Sequence, residues 1–138
     1  MTPLIFAATN DLAGKTRGKA FPADQMEKRL KRGVGWTPTN VQINCFDGIA
    51  DSPFGALGDL LLIPDATTHV QATFDNRTEQ LVLGDIVSLD GEPWAFCTRS
   101  LLKTALARLK GVAGVNLLSA FEHEFQLKRN LTLTGEAS

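Results

Sequence analysis

The apolar pattern of this chain changes character at Ser100, and that change constrains the fold more than any other feature. Upstream, short extended runs alternate with turn residues: LIFAAT at 4–9, DLLLIPD at 59–65, HVQATF at 69–74, EQLVLGDIVSL at 79–89 and EPWAFC at 92–97. Runs of this length, bounded by Gly, Pro, Asn and Asp, have strand grammar. Asp75-Asn76-Arg77 and Asp90-Gly91 read as turns between them. Downstream, Leu101, Leu102, Ala105, Leu106 and Leu109 recur at helical spacing, opposed by Lys103, Arg108 and Lys110. Gly111 and Gly114 are expected to end that helix, and VNLLSAFEHEFQL at 115–127 returns to strand character.

The N-terminal third adds a hairpin and a helix. Pro3–Thr9 and Lys15–Pro22 face each other across a Gly14 turn. ADQMEKRLKRG (23–33) then carries Asp24 as a cap with Glu27 three residues on, as in a capping box. Met26 and Leu30 share a face, basic residues fill the last turns, and Gly33 stops the helix. GVGWTPTN (33–40) is turn-rich, VQINCF (41–46) has strand character, and DGIADSPFGALGD (47–59) is a Gly- and Pro-punctuated loop. This order of elements predicts a small α+β domain followed by the opening of something else, with a helix over Ser100–Lys110 as the boundary.

The 138 residues suffice for one ordinary domain, and 43% apolar with 21% charged residues is the composition of a globular chain. The net charge of −1 argues against a dedicated nucleic-acid binder, which needs a basic excess. Cys45 and Cys97 are too few for a disulfide framework and are expected as small core residues. LIFAA, with no basic region before it, is too short for a signal core or a spanning helix. The expectation is a reduced, cytoplasmic setting without membrane or nucleic-acid partners.

AGKTRGK (13–19) invites a phosphate-loop reading, which fails on spacing. The position that must be glycine is Thr9 in one register and Ala13 in the other, and Phe21-Pro22 interrupts the helix that should follow. The KRLKR run of the first helix reads as a solvated end complementing the helix dipole. AFEHEFQL (120–127) carries more chemistry. On a strand, Glu122 and Glu124 share one face, about 7 Å apart from the rise per residue. Phe121, Phe125 and Leu127 take the other. His123 is assigned to that apolar side as a packed residue. Paired carboxylates at that separation suit hard divalent cations, although each ion takes about six ligands and two carboxylates cannot complete a site. A solvated face of an amphipathic strand is the alternative.

Taken together, NDLAGKTRGKAFP, INCFDGIADSPFGALGDLLLIPD, EPWAFCTRSLL and FEHEFQL resemble the N-terminal part of the glutamine synthetase family, in that family's order and rough spacing. The hairpin matches D-x-x-G-x-x-R-G-K, the loop leads to G-D-x-x-L-x-P-D, and the last stretch matches the family's Glu-x-Glu strand. The resemblance implies an α+β fold. A β-grasp-like domain over 1–98 is followed over 99–138 by a linker helix and the first strand of a truncated catalytic domain. Lys15 and Lys19 then belong to the scaffold or an interface.

The activity implied is ATP-dependent amidation of the glutamate γ-carboxyl by ammonia or an amine, through a γ-glutamyl phosphate. Mg²⁺ or Mn²⁺ would be held partly by Glu122 and Glu124. Asp47 matches the carboxylate that binds ammonium and draws off its proton across a subunit boundary; an ordinary Asp-Gly turn is its alternative reading. Ammonia-using members follow this aspartate with serines. Here Gly48-Ile49-Ala50-Asp51 follows, which leans toward the amine-ligating branches. Most of the family's catalytic domain has no counterpart here, so the chain is expected to be inactive alone and to bind neither ATP nor metal tightly. A homo-oligomer or a companion catalytic polypeptide would be its partner. A non-catalytic module that docks on a full-length synthetase is the competing reading, and a phosphate or nucleic-acid binder using Lys15, Arg17, Lys19 and KRLKR a third.

Overall fold

A computed structural model describes residues 2–122, Glu124 and Gln126. Strands β1 (Leu4–Asn10) and β2 (Thr16–Pro22) form the expected hairpin, in register from Leu4 opposite Pro22 to Asn10 opposite Thr16. Gly14 turns the chain between them at φ +76°, where a side chain would be strained. A 3₁₀ turn at Ala23–Gln25 leads into α1 (Met26–Arg32), which stops at Gly33. The capping box expected from Asp24 and Glu27 is not formed. Asp24 lies inside the 3₁₀ turn, and neither N-cap makes a side-chain bond. The entry is set instead by tertiary pairing, because the Ala23 N–H donates to the Pro3 carbonyl at 2.9 Å.

Four more strands follow: β3 (Val34–Trp36), β4 (Leu60–Pro64), β5 (Val70–Phe74) and β6 (Arg77–Val87). The sheet runs β2-β1-β6-β4-β3, with β5 also pairing β6. Within it β1 runs parallel to β6, with Phe6 opposite Leu81, and the other pairs are antiparallel. The sheet curls toward closure, and Lys19 on β2 reaches β3, its Nζ donating to the Gly35 carbonyl at 2.6 Å. This near-barrel α+β architecture is the β-grasp-like fold expected above.

One face of the curled sheet holds the core. Ile5, Ala7, Phe21, Val34, Trp36, Val41, Leu60, Leu62, Val82, Ile86 and Cys97 pack together, with Met26 of α1 against them. Alternation explains the membership, since Leu60 and Leu62 of β4 point inward while Leu61 is only half-buried. Cys97 takes the expected core place. Cys45 does not, and is exposed on a loop.

Three sequence expectations fail locally. VQINCF is not a strand. Pro38–Val41 is a 3₁₀ turn, and Ile43 makes only an isolated bridge to Ile49, because the Asn44 side chain takes the backbone donors a ladder would use. EPWAFC likewise contributes one bridge, at Pro93, and otherwise delivers Trp94 and Phe96 against Phe54. Finally, residues 115–122, Glu124 and Gln126 carry no regular structure and are exposed, so the strand expected at 115–127 is not formed among the described residues. None of the six strands pairs with this segment, and an unpaired strand has no ladder to hold it. His123, Phe125 and Leu127 lie outside the described residues.

The last helix, α2 (Thr98–Ala113), runs longer than its pattern implied. It passes through Gly111 and ends at Gly114 in the left-handed conformation, φ +68°. Its stripe of Leu101, Leu102, Leu106 and Leu109 faces solvent.

Candidate functional site

The loop between Gln42 and Asp59 presents the Asp47 carboxylate, and its geometry is held from several directions. Asn44 organises the tip. Its Oδ1 accepts from the N–H groups of Phe46 at 2.9 Å and Gly48 at 3.1 Å, while its own N–H donates to the Gly48 carbonyl at 2.8 Å. Asp47 itself adopts φ +60°, a conformation costing most side chains about 1–2 kcal/mol and tolerated by Asp. The loop base is anchored by Gln42, a buried residue whose Nε2 donates to the Gly55 carbonyl at 2.9 Å. Phe54 then packs edge-on against Trp94, with ring centroids 5.0 Å apart. An Asp-Gly turn and a displayed carboxylate are therefore the same object here.

The carboxylate is open to solvent, at 76% exposure, and among the described residues it meets one cation, the Lys15 ammonium at 3.0 Å. An exposed pair of this kind contributes about 0–1 kcal/mol. It leaves Asp47 able to hold an incoming ammonium or to accept its proton. Phe46 and Ile49, both strongly exposed, flank it.

Lys15 sits there because of the hairpin turn, and Asp11 builds that turn. The buried Asp11 carboxylate accepts from the Lys15 N–H at 2.8 Å and from Arg17 Nε at 2.8 Å. Burial alone pushes the Asp11 carboxyl up. The Arg17 hydrogen bond, the Lys15 backbone donor and the guanidinium charge outweigh it and hold the group below its ordinary value of 3.8. In D-x-x-G-x-x-R-G-K the Asp and the Arg thus bind each other, and Gly18 is required because a Cβ there would sit 2.4 Å from the Ala7 carbonyl oxygen. Lys19, besides its bond to Gly35, lies over the Trp36 ring at 5.7 Å. Both lysines of AGKTRGK have partners within the chain, Asp47 for Lys15 and the Gly35 carbonyl for Lys19.

Sequence reasoning missed a second charged cluster, which ties α2 to the sheet. Arg99 donates to Asp85 and to Asp65, each at 2.9 Å, and Lys103 pairs with Asp85 and, at 3.7 Å, with Asp65. Asp65 is further bonded by Thr67. That hydroxyl, opposed by burial and joined by the Thr67 N–H and the Lys103 and Arg99 charges, lowers its pKa from 3.8. The only sequence signal was the Pro-Asp ending β4; its partner lies thirty-four positions away along the chain. Arg99→Ala is expected to loosen the first turns of α2, at a cost of about 1–3 kcal/mol for charged hydrogen bonds at a part-buried site. Faster amide exchange confined to residues 98–106 would register it; unchanged exchange there would contradict it.

Glu122 and Glu124 are exposed and lie outside regular structure. No group of three or more His, Cys, Asp or Glu side chains among the described residues is arranged to hold a metal ion. The pair is thus an incomplete ligand set among the described residues, remote in sequence from Asp47.

A curled sheet with one grasping helix and a hydrogen-bonded loop that displays a carboxylate defines a small β-grasp-like domain. The chain belongs to the glutamine synthetase N-terminal domain family, whose model matches residues 2–94. Type-1 glutamine synthetase 1 of Dictyostelium discoideum is 30% identical over 127 residues, covering 85% of this chain and 26% of the relative. Among solved structures, a novel glutamine synthase homologue superposes with a TM-score of 0.74 at 35% identity, over 80% of this chain and 27% of its own. GmaS in complex with ADP gives 0.61 at 26% identity, over 78% and 23%. The Plasmodium falciparum glutamine synthetase, at 17% identity and TM-score 0.61 over 80% and 20%, shares the fold. The chain spans about a quarter of the length of these relatives.

Proposed function

We propose that this chain supplies the amine-site loop of a glutamine-synthetase-like ligase that joins the glutamate γ-carboxyl to an amine at the expense of ATP. The observation that carries the reading is the Asp47 carboxylate, displayed in a left-handed conformation on a loop with three separate anchors, at Gln42, Asn44 and Phe54. Asp47 would bind the amine as its ammonium ion and take its proton before attack on a γ-glutamyl phosphate. Residues 99–138 would form the linker and the opening of the catalytic domain. Glu122 and Glu124 would join further ligands there around Mg²⁺ or Mn²⁺, whose chemistry is to neutralise the transferring phosphoryl group. ADP in GmaS is in keeping with a nucleotide requirement.

The acceptor we propose is an amine bearing carbon substituents. Gly48-Ile49-Ala50-Asp51 follows Asp47 in place of the serines of ammonia-using members, and the exposed Phe46 and Ile49 beside it offer apolar contact that free ammonia could not use. Because the chain spans about a quarter of its relatives, the ligase reaction would need the segments those relatives carry beyond the matched span. The purified chain with ATP, Mg²⁺, glutamate and an amine is therefore expected to show no turnover. Fused to or mixed with a catalytic body from a homologue, it should support amine-dependent phosphate release. Asp47→Asn should lower that activity by about 100-fold, the lower end for a positioned acid–base group. Turnover by the isolated chain, or a restored activity indifferent to Asp47→Asn, would sink the reading.

A further inference from the structure

We infer that the outer edge of β5 is a self-recognition surface that takes β5 of a second copy of this chain in antiparallel register about a twofold axis at Ala72. This inference is independent of the ligase reading. Among the described residues, strand β5 pairs with β6 along one edge only, and all five of its residues are exposed. The turn that joins them, Asp75 at φ +46° and Asn76 at φ +62°, has the two left-handed residues of a type I′ hairpin. That turn makes Phe74 and Arg77 a hydrogen-bonded pair. Alternation then aims the backbone groups of Val70, Ala72 and Phe74 at β6, and those of Gln71 and Thr73 outward.

An edge of this kind is ordinarily blunted by proline, charge or a bulge. Val70–Phe74 contains neither proline nor a charged residue, and its pairing with β6 is continuous from Val70–Leu81 to Phe74–Arg77. The strand is also self-complementary. With the axis at Ala72, Gln71 and Thr73 exchange backbone hydrogen bonds with Thr73 and Gln71 of the second copy. Val70 falls opposite the second copy's Phe74, an aliphatic–aromatic pair of the kind that stabilises sheets. Val70 and Phe74 also border an apolar groove of about 440 Å³ floored by Leu4, Phe6 and Leu81, which the new pair would roof at one side. The exposed stripe on α2 offers apolar area but no register, and so specifies no occupant.

A five-residue edge is small beside the roughly 1,200–2,000 Å² of stable interfaces, so the dimer should be weak and concentration-dependent. Sedimentation velocity on the full chain over roughly 10–500 µM, the range of weak association, is expected to show the mass rising toward that of a dimer. Thr73→Pro removes an outward N–H that β6 does not use. Ala72→Lys sets like charges opposite each other across the axis while facing Glu79 within its own chain. Each should weaken association by about tenfold or more with unchanged circular dichroism and melting, since an interface pair of like charges or a lost ladder bond acts only in the dimer. A mixture of Ala72→Lys with Ala72→Glu should associate more strongly than either variant alone. A monomer at every concentration, or a dimer that survives both Thr73→Pro and Ala72→Lys, overturns the inference. So does a dimer lost only on Leu106→Asp, which would place the contact on α2.

Discussion

Leu62→Ala is expected to cost about 3–5 kcal/mol of folding free energy, the range for truncating a fully buried leucine whose surroundings cannot collapse. Leu62 is at 0% exposure on β4, between β3 and β6, opposite Val34 on one side and Ile86 on the other. Its neighbourhood has little room to relax. A Cβ on Gly84 would come within 2.8 Å of Leu62 Cγ and 2.9 Å of the Ile63 carbonyl oxygen, so β6 already passes as near as its backbone allows. Removing the isobutyl group leaves a hole that β6 cannot enter without breaking its ladder to β4. Urea unfolding should show a lower midpoint with an unchanged slope. A loss below about 1 kcal/mol would mean the near-barrel can close around the gap, and the packing described here would be wrong.

Asp11→Ala should be the most damaging change among the charged residues, at about 2–3 kcal/mol. It removes hydrogen bonds to a charged partner and to backbone, and strands the Arg17 guanidinium. Arg17 keeps 27% of its side chain exposed, which places the cost below that of breaking a fully buried pair. The same residue gives the protein an acid limb. Because the folded Asp11 and Asp65 carboxyls both titrate below their ordinary value of 3.8, the unfolded chain binds those protons more readily. Their stabilisation is whole above about pH 5 and is lost as the pH falls through the folded values. Stability followed from pH 6 to pH 2, the window set by ordinary carboxyl values, should drop on the acid side. Asp11→Ala should start lower and fall less steeply. Parallel curves for the two proteins would count against the Asp11–Arg17 pair as a source of the acid limb. Because Asp11 also shapes the turn that carries Lys15, its loss should free the Asp47 carboxylate from its intramolecular cation.

Strands β1, β4 and β6 were legible because each buries part of one face, which alternation or an apolar run bounded by turn residues records locally, whereas β2 and the fully exposed β5 were legible through the turns at Gly14 and Asp75-Asn76 that join them to a neighbour. Helix α2 was legible from its leucine stripe, although the stripe implied a covering that the described residues do not supply. What the sequence hid has one physical origin. Strand β3 is three residues long, too short for any period to show, and exists because β4 lies beside it. The extended segments expected at 41–46 and 92–97 had suitable residues but make only isolated bridges, at Ile43 and at Pro93.

For the candidate site, Asp47 was singled out by its place in a motif, and the Asp11–Arg17 pair was contained within one. The Lys15–Asp47 contact and the cluster of Asp65, Asp85, Arg99 and Lys103 were not. Local periodicity and turn chemistry therefore determined which segments are strands and helices and which family pattern the chain carries. Only the tertiary structure decided which charges meet, because an ion pair depends on distance in space and leaves no mark on the spacing of residues along the chain.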